Sequence, residues 1–412
     1  MRRPRKPAPP APILIVGGGV GGLTLALSLH ERGIPCLVLE AAKDVQPNGA
    51  GINILPDATR ELAALGLLSG LDVLAIRTRE LRCLNRFGSH IWTEARGLHA
   101  GHDAPQFSIL RGRLHTLLWQ AALQRMGAQI IRTAMRLVGF AQSGESVTAN
   151  FADGTSIRGS ALIGADGIHS VVRKPMHPDD ADTRWNGIQT WRGVADWAAH
   201  EGGDVMILAG DTKEKLTLYP IGPGATSATR LTTWVVSAQL GDPARQPPRP
   251  QDWSRPGALE DVLPHVQRFR LPWLDVQAMI RATPEIWEDP ICDRDPLPFW
   301  TRGRVTLLGD AAHPLMGCNG PSEAILDARA LAALLARQPI PEALAAYEAK
   351  RLPATRELLR TARLGGLQRL MDLVSARAPE GFERLEDVIA TDEMAALARK
   401  QQDSPNEDHH RA

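Results

Sequence analysis

The stretch that decides the fold is ILIVGGGVGG, residues 13–22. Its first four residues are apolar and mostly β-branched, which predicts a short strand, and Leu23 to Arg32 then repeats apolar residues at helical spacing. The glycines between them match the pattern G-x-G-x-x-G. In such a turn a pyrophosphate can approach the backbone, and the helix N-terminus supplies N–H donors and a partial positive charge. The residues predicted to contact a dinucleotide here are Gly17, Gly19, Val20, Gly21 and Gly22.

Glu40 completes this strand, turn, helix and strand unit. It lies at the end of the second apolar run, 18 residues after Gly22. A carboxylate at that place can accept hydrogen bonds from a ribose hydroxyl and would repel a ribose phosphate. The alternative is a solvated glutamate beside a glycine-rich turn. The agreement of all four parts favours dinucleotide binding, but it does not separate NAD from FAD.

The composition excludes several classes of protein. The chain has 412 residues with 47 Lys and Arg against 46 Asp and Glu, a formal net charge of +1, and 43% hydrophobic residues. At about 150 residues per domain this length predicts two or three domains. A disulfide-stapled module and a disordered chain do not fit, and no overall charge would attract nucleic acid or a membrane. The basic residues and apolar run at the start resemble a signal peptide, but glycines 17–22 and the prolines before them argue against export.

The cysteines predict the cellular compartment. Cys36, Cys83, Cys292 and Cys318 are scattered, without a C-x-x-C pair or zinc spacing. We therefore expect a cytoplasmic protein without a metal site.

Two further motifs end apolar strands with a carboxylate. Residues 161–164 lead into Asp166-Gly167, and residues 304–309 lead into Asp310, ahead of a helix that starts near Pro321. Taken alone, Asp-Gly is more often a β-turn, and the second motif could be an ordinary capped loop. The N-terminus of the later helix could stabilise negative charge on a ligand.

Together the three motifs resemble the single-component FAD-dependent aromatic hydroxylases, which include para-hydroxybenzoate and salicylate hydroxylases. The resemblance runs from about Ile13 to Arg351. Four further segments resemble the branch that acts on a methylphenazine carboxylate, and these are residues 49–54, 191–194, 259–264 and 293–298. The resemblance implies FAD as cofactor, NADH or NADPH as co-substrate, and oxygen transfer to an aromatic ring through a flavin hydroperoxide.

The resemblance also implies further cofactor contacts. Asp310 would contact the ribityl side of FAD, and Arg111 would contact FAD, although an exposed arginine that opens a helix is the alternative. The additional residues carried over from the family are Gly51, Ile52, Arg111, Asp166, Asp310, Asn319, Gly320 and Pro321. No second strand-associated G-x-G-x-x-G is present in the sequence, so NAD(P)H is expected to bind transiently.

The expected fold class is α/β, a Rossmann-like FAD-binding domain with an inserted sheet-rich substrate domain and C-terminal helices. The FAD-binding domain is assigned to residues 12–76, 102–178 and 290–345, and the substrate domain to residues 77–101 and 179–289. C-terminal helices cover 346–398. Residues 1–11 and 399–412 are expected to be disordered. We expect a monomer or a homodimer.

The inserted sheet is expected to line the substrate pocket, because ligand sites favour domain interfaces. Arg192 could orient a carboxylate and Trp191 could stack on a planar ring. The full set of substrate candidates is Trp191, Arg192, Tyr219 and Met316. The alternatives are a core Trp, a structural ion pair and a core Tyr. His313 reads as a turn residue and Cys318 as a loop filler, and the sequence identifies no general base.

One departure from the family keeps other outcomes open. After Pro314 the loop to Gly320 is shorter than the family pattern and lacks its usual second proline. By resemblance this loop lies beside the flavin ring. The alternatives to ring hydroxylation are a flavoprotein with another outcome (epoxidation, Baeyer–Villiger insertion or dehydrogenation) and a degenerate FAD-binding protein. An NAD-only dehydrogenase would leave the motifs at Asp166 and Asp310 unexplained.

Overall fold

The computed structural model describes residues 11–44, 49–180, 183–242, 247, 249, 252, 255–315 and 320–402, without the side chains of 395 and 398–402. Met316, Cys318 and Asn319, the two terminal segments and most of the proline-rich stretch after Gly241 lie outside the described residues.

The strands are β1 Ile13–Val16, β2 Cys36–Leu39, β3 Gly51–Ile54, β4 Ile76–Thr78, β5 Glu80–Leu84, β6 His90–Ala95, β7 Gln106–Leu110, β8 Ile131–Arg132, β9 Leu137–Ser143, β10 Ser146–Phe151, β11 Ser156–Gly159, β12 Ala161–Gly164, β13 Arg184–Ala198, β14 Val205–Gly210, β15 Glu214–Pro223, β16 Thr229–Gln239, β17 Ile286–Asp293, β18 Thr301–Arg302 and β19 Val305–Leu307. The helices are α1 Val20–Glu31, α2 Pro56–Ala64, α3 Leu68–Leu74, α4 Arg111–Met126, α5 Arg173–Met176, α6 Leu259–Val262, α7 Val276–Arg281, α8 Gly320–Leu335, α9 Ile340–Leu364, α10 Gly366–Arg377 and α11 Thr391–Gln402.

A six-stranded sheet in the order β18-β19-β12-β1-β2-β8 forms the first layer. Its strands are parallel except for β18, and Ile13 pairs with Cys36 on one side and Ala161 on the other. The central strands are apolar at every position because both faces are buried: α1 contacts β1 and β2, and residues of β10 share a core with β1 and β12. The carboxyl ends of β1, β12 and β19 therefore meet at one edge of the sheet, and the α/β prediction is confirmed.

A seven-stranded sheet in the order β17-β13-β16-β15-β14-β5-β6 forms the second layer. Neighbouring strands are antiparallel except for β14 and β5. Residues of α6 and α7 pack in a core on one face, and α10 and α11 cover part of the other. A small sheet in the order β3-β7-β4 lies between the two large sheets, and β11-β10-β9 form a fourth.

Apolar spacing predicts a strand from Ser156 to Gly164 and a helix from Pro56 to Leu68, and the structure differs at both. The first run is broken at Ser160, and β11 and β12 belong to different sheets. The second is divided between α2 and α3 at Gly66, whose φ is +70°. In both runs the apolar spacing is continuous while the backbone turns. Helix α11 extends to Gln402, beyond residue 398, where the C-terminal helices were expected to end. Among the described helices none is long and apolar enough to cross a membrane.

Candidate active site

The glycine-rich turn after β1 is shaped by close packing. Gly17 has φ +108°, and a Cβ there would lie 2.3 Å from the carbonyl oxygen of Ala165. A Cβ on Gly22 would lie 2.0 Å from the carbonyl oxygen of Gly17, and one on Gly21 would lie 2.6 Å from Leu308 Cδ2. These three glycines are needed for the turn to pack on itself and on the strand ends beside it.

Gly19 in the same turn has a different environment. A Cβ added there would meet no described atom within 4 Å. Gly19 is also the N-cap of α1, and within the described part of the chain no side chain caps this helix. The N–H groups of the first turn are therefore available to an anion, and the positive end of the helix dipole favours one. The open space and the uncapped donors fit the diphosphate of a dinucleotide.

Glu40 is fixed beside this turn. Its Oε2 accepts a hydrogen bond from the Gly18 N–H at 2.7 Å, and its Oε1 accepts one from the Ala42 N–H at 2.7 Å. His115 Nε2 lies 2.6 Å from the Gly18 carbonyl oxygen on the other side. Because each carboxylate oxygen can accept more than one hydrogen bond, Glu40 retains acceptors for ribose hydroxyls.

The Asp166 carboxylate organises its own loop after β12. The Ser170 hydroxyl donates to Oδ1 at 2.5 Å, and the N–H groups of Val171 and Val172 donate to Oδ2 at 2.7 and 3.2 Å. Burial raises the pKa of Asp166 in spite of these donors. The loop touches the first turn through Ala165, whose N–H donates to the Val16 carbonyl at 2.8 Å. Direct contact of Asp166 with the cofactor stays a prediction.

Asp310 lies in the turn after β19, and its side chain is close to the N-terminus of α8. A Cβ on Gly320 would be 3.3 Å from Asp310 Oδ1. The Asp310 side chain is exposed, yet surrounding protein removes enough water to raise its pKa, while the charges of His313 and Arg111 lower it. The structure thus brings Asp310, Gly320 and the charge of Arg111 together.

Helix α8 is attached to strand β3 near its N-terminus. Ser322 Oγ accepts from the Leu55 N–H at 3.0 Å and donates to the Asn53 carbonyl at 3.3 Å. Pro321 occupies the first turn of the helix, where its missing N–H costs no hydrogen bond. The predicted contacts at Gly51, Ile52, Gly320 and Pro321 therefore belong to two elements that are hydrogen-bonded to each other.

Arg111 opens helix α4 and is exposed, as the alternative interpretation expected. Its N–H donates to the Ala50 carbonyl at 3.1 Å, so its position depends on the segment before β3. Its positive charge lowers the pKa of both Asp310 and Arg192. The charge of Arg111 therefore acts on Asp310, which follows the six-stranded sheet, and on Arg192 of the seven-stranded sheet.

The face of the seven-stranded sheet that meets β3 is called the inner face here. Arg192 pairs with Val235 of β16 and with Trp287 of β17, and directly paired residues share a face. By the same register, the inner face includes Thr190, Arg192, Thr217, Tyr219, Thr233, Val235 and Trp287. Arg192 is buried there, and burial lowers its pKa while Asp289 and Asp252 oppose that shift.

Trp191 lies on the opposite face, because successive residues of a strand alternate. It is 3% exposed, its ring stacks on His265 with centroids 5.1 Å apart and an interplanar angle of 21°, and it belongs to the core that contains Trp234. The prediction that Trp191 stacks on the substrate does not fit this placement. The alternative, a core tryptophan, describes it.

Tyr219 is on the inner face but is committed to the backbone of β3. Its hydroxyl donates to the Gly51 carbonyl at 2.7 Å, and the Gly51 N–H donates to Thr233 Oγ1 at 3.3 Å. A Cβ on Gly51 would be 2.5 Å from Thr233 Cγ2. Tyr219 is 1% exposed and joins the two sheets, as the alternative of a core tyrosine expected, and its contact with substrate stays a prediction.

The sequence reasoning missed Trp287, Thr217 and Val235 as residues of the inner face. Trp287 is half-buried and directly opposite Arg192. Only the pairing of β13 with β17 reveals this neighbour, since 95 residues separate the two positions along the chain. With that register known, an aromatic residue next to a buried cation would have been a candidate substrate contact.

A buried ion network lies behind Asp310. His313 Nε2 is 2.5 Å from Asp327 Oδ2, Arg351 donates to Asp327 Oδ1 at 2.7 Å, and Arg351 also donates to Glu323 at 2.5 Å. Burial opposes the charged form of His313, but the charge of Asp327 and the hydrogen bond to it prevail and raise the His313 pKa. Burial raises the pKa of Asp327, but His313 and Arg351 together lower it well below its usual range.

Residues 10–362 match the protein family described as FAD binding domain. Phenazine 1,6-dicarboxylic acid hydroxylase PhzS of Lysobacter antibioticus is 42% identical over 363 residues, which cover 85% of this chain and 89% of that protein. 3-Hydroxybenzoate 6-hydroxylase 1 of Aquipseudomonas alcaligenes is 31% identical, with 83% of this chain and 85% of that protein covered. The crystal structure of Klebsiella pneumoniae HpxO complexed with FAD and uric acid superposes with a TM-score of 0.75 at 24% identity, covers 96% of this chain and 97% of that one, and shows the shared fold.

Proposed function

The chain belongs to the FAD binding domain family and is an FAD-dependent aromatic monooxygenase that uses NAD(P)H and O2, and from that premise we propose that its substrate is a carboxylated fused-ring aromatic of the phenazine class. The observation that carries the proposal is Arg192, a buried cation on the inner face. A guanidinium group binds a carboxylate with two parallel hydrogen bonds, which gives both energy and orientation. The similarity to a hydroxylase of a phenazine dicarboxylic acid supports the same class.

Two neighbouring cations favour an anionic substrate. Burial disfavours the charged form of Arg192, and so does the charge of Arg111, whereas Asp289 and Asp252 favour it. A substrate carboxylate would favour the charged form further and would offset the cost of burying it. Trp287 offers an aromatic surface beside Arg192, and a planar ring system stacks on such a surface.

The residues present fit FAD in two parts of the site. The adenosine and diphosphate of FAD would be held by Gly19, the first turn of α1 and Glu40. The remaining half of FAD would be held by Asp310 and the N-terminus of α8. When bound, FAD supplies the two-electron chemistry with NAD(P)H and oxygen that no amino-acid side chain can supply.

The chain's own groups bind, orient and exclude water. The N-terminus of α8 stabilises negative charge near Gly320 by its dipole. The buried inner face keeps water from the reacting ring. Arg192 fixes the carboxylate end of the substrate and thereby decides which ring carbon is presented.

The proposal is tested by measuring NADH and NADPH oxidation, hydrogen peroxide and hydroxylated product with purified holoenzyme. The panel is phenazine-1-carboxylic acid, phenazine-1,6-dicarboxylic acid, unsubstituted phenazine and 3-hydroxybenzoate. We expect the phenazine carboxylates to accelerate oxidation by about tenfold or more over the rate without substrate, with product formed. Acceleration by 3-hydroxybenzoate alone would overturn the fused-ring class, and peroxide without product for every compound would contradict hydroxylation of this class.

Arg192→Met tests the role of the cation. We expect its KM for the phenazine carboxylate to rise about tenfold or more, with little change for unsubstituted phenazine, because only the carboxylated substrate has a group that binds the guanidinium. Arg230→Met is the matched control, because Arg230 lies on the same sheet and donates to the carbonyls of Ser227 and Thr229 in its own loop. An equal KM increase in both variants would contradict the proposed contact.

A further inference from the structure

The turn that carries Asp310 is a single tight turn after β19. The N–H groups of Ala312 and His313 both donate to the Gly309 carbonyl, at 2.8 and 2.9 Å. Gly309 has φ +62°, a conformation that glycine adopts readily. Asp310 is the second residue of this turn, so its direction depends on how the turn is held.

Asp327 of α8 holds both ends of the turn with one oxygen atom. Its Oδ2 accepts from the Gly309 N–H at 3.1 Å and lies 2.5 Å from His313 Nε2. The Asp327 side chain is 0% exposed, so no water competes for these contacts. Gly309 and His313 flank Asp310, and one carboxylate therefore fixes the backbone on both sides of it.

Helix α9 fixes the carboxylate in turn. Arg351 Nε donates to Asp327 Oδ1 at 2.7 Å, and its Nη2 donates to Glu323 at 2.5 Å. Two positive and two negative side chains thus neutralise each other inside the protein. Glu323 is hydrogen-bonded to Arg351, whereas Asp327 contacts both Arg351 and the turn.

We propose that Asp327 is a positioning residue for FAD binding, which clamps the turn from Gly309 to His313 and so fixes Asp310 beside the N-terminus of α8. The inference rests on the proposed contact of Asp310 with FAD. Asp327 acts on the cofactor site through the Gly309 N–H and the His313 ring, without direct contact with FAD.

Asp327→Asn is the first test, with Glu323→Gln as the matched control. An amide can accept with its oxygen on one side only, so its NH2 group must face either Arg351 or the two donors of the turn. Glu323→Gln removes a buried charge from the same network but leaves the turn contacts in place. The dissociation constant of FAD is measured by flavin fluorescence titration of the apoprotein, and the free energy of unfolding by urea.

We expect the FAD dissociation constant to rise about tenfold or more in Asp327→Asn and less than about threefold in Glu323→Gln. Equal increases in the two variants would overturn the clamp, because the effect would then come from loss of charge in the network. An unchanged dissociation constant in Asp327→Asn would overturn it as well.

A second pair of variants covers the case in which Asp327→Asn does not fold. His313→Leu removes one end of the clamp, and His313→Gln keeps a side-chain donor for Asp327 without the charge. Weaker FAD binding in His313→Leu that His313→Gln restores supports the clamp. Weakening without rescue contradicts it.

Asp310→Asn distinguishes an error in the clamp from an error in the proposed contact between Asp310 and FAD. If FAD binding weakens in Asp310→Asn but not in Asp327→Asn, the contact between Asp310 and FAD is supported and the clamp is wrong. If Asp310→Asn binds FAD as the wild type does, the contact itself is wrong.

Discussion

Two turns follow parallel strands of the same sheet, yet they are held in different ways. The turn from Gly17 to Gly22 follows β1 and packs on itself, since a Cβ on Gly22 would lie 2.0 Å from the Gly17 carbonyl oxygen. The turn from Gly309 to His313 follows β19 and depends on Asp327 of α8 and, behind it, Arg351 of α9. Both turns lie at the same edge of the sheet, and both belong to the proposed cofactor site.

The comparison shows which parts of the sequence determine the conformation of each turn. The first turn needs small residues at fixed short spacing, because its constraints are steric. The second needs charges from two helices to meet inside the protein. A substitution in the first turn should act through collision, and one around the second through loss of hydrogen bonds and charge balance.

The largest expected effect is that of Gly22→Ala. The added Cβ collides with backbone that cannot move aside, so we expect the free energy of unfolding to fall by about 3 kcal/mol or more. Gly19→Ala is the contrast, because its Cβ has open space, and we expect a change within about 1 kcal/mol but weaker FAD binding. Urea unfolding of the apoproteins and FAD titration measure both. Equal stability losses would contradict the distinction between the two glycines.

Tyr219→Phe extends the comparison to the contact between the sheets. It removes the donor to the buried Gly51 carbonyl, which should lower the free energy of unfolding by about 1–3 kcal/mol and raise the substrate KM. Tyr347→Phe is the comparison, because its hydroxyl donates to the Leu307 carbonyl at 3.2 Å and lies beside Asp327, away from the inner face. Stability should fall in both variants, whereas a KM change in Tyr347→Phe would argue against a special role for Tyr219.

The second turn should also respond to pH. Asp327 raises the pKa of His313 against burial and the charge of Arg351, with Glu323 helping. His313 therefore contributes stability fully below its unfolded pKa of about 6.5, and that contribution is lost as pH rises through the raised folded pKa. Urea unfolding of the apoprotein from pH 6 to pH 9 should show this fall. In His313→Gln the part of the slope due to His313 should disappear, and an unchanged slope would exclude His313 as its source.

The smallest effect is expected from Trp191→Phe. Trp191 packs in the core on the face opposite the inner face. We therefore expect the free energy of unfolding to fall by about 1 kcal/mol and the KM to stay unchanged. Trp287→Phe changes a half-buried ring opposite Arg192, and we expect its KM for the phenazine carboxylate to rise instead. Steady-state kinetics on the two variants compare the two faces of one sheet. The reverse pattern would place the substrate on the other face.

The inner face shows why the sequence alone could not define the substrate wall. Trp191 and Arg192 are adjacent in the chain, and both suit a carboxylated ring, but alternation along β13 puts them on opposite faces. Trp287 was missed for the same reason, since its proximity to Arg192 exists only through strand pairing. Tyr219 lies on the inner face, but its hydrogen bond to Gly51 could not be foreseen from the sequence.

The sequence by itself determined the first turn with Glu40, because a strand, a glycine pattern and a helix interact within a few residues of one another. The fold class and the FAD family followed from that motif together with the two at Asp166 and Asp310. The tertiary structure decided which face of the inserted sheet meets β3 and how the Gly309 to His313 turn is held. Those features depend on strand register and on buried contacts between distant segments, such as Asp327 with His313 and Arg351. Such contacts leave no regular spacing in the chain, because their partners are set by packing.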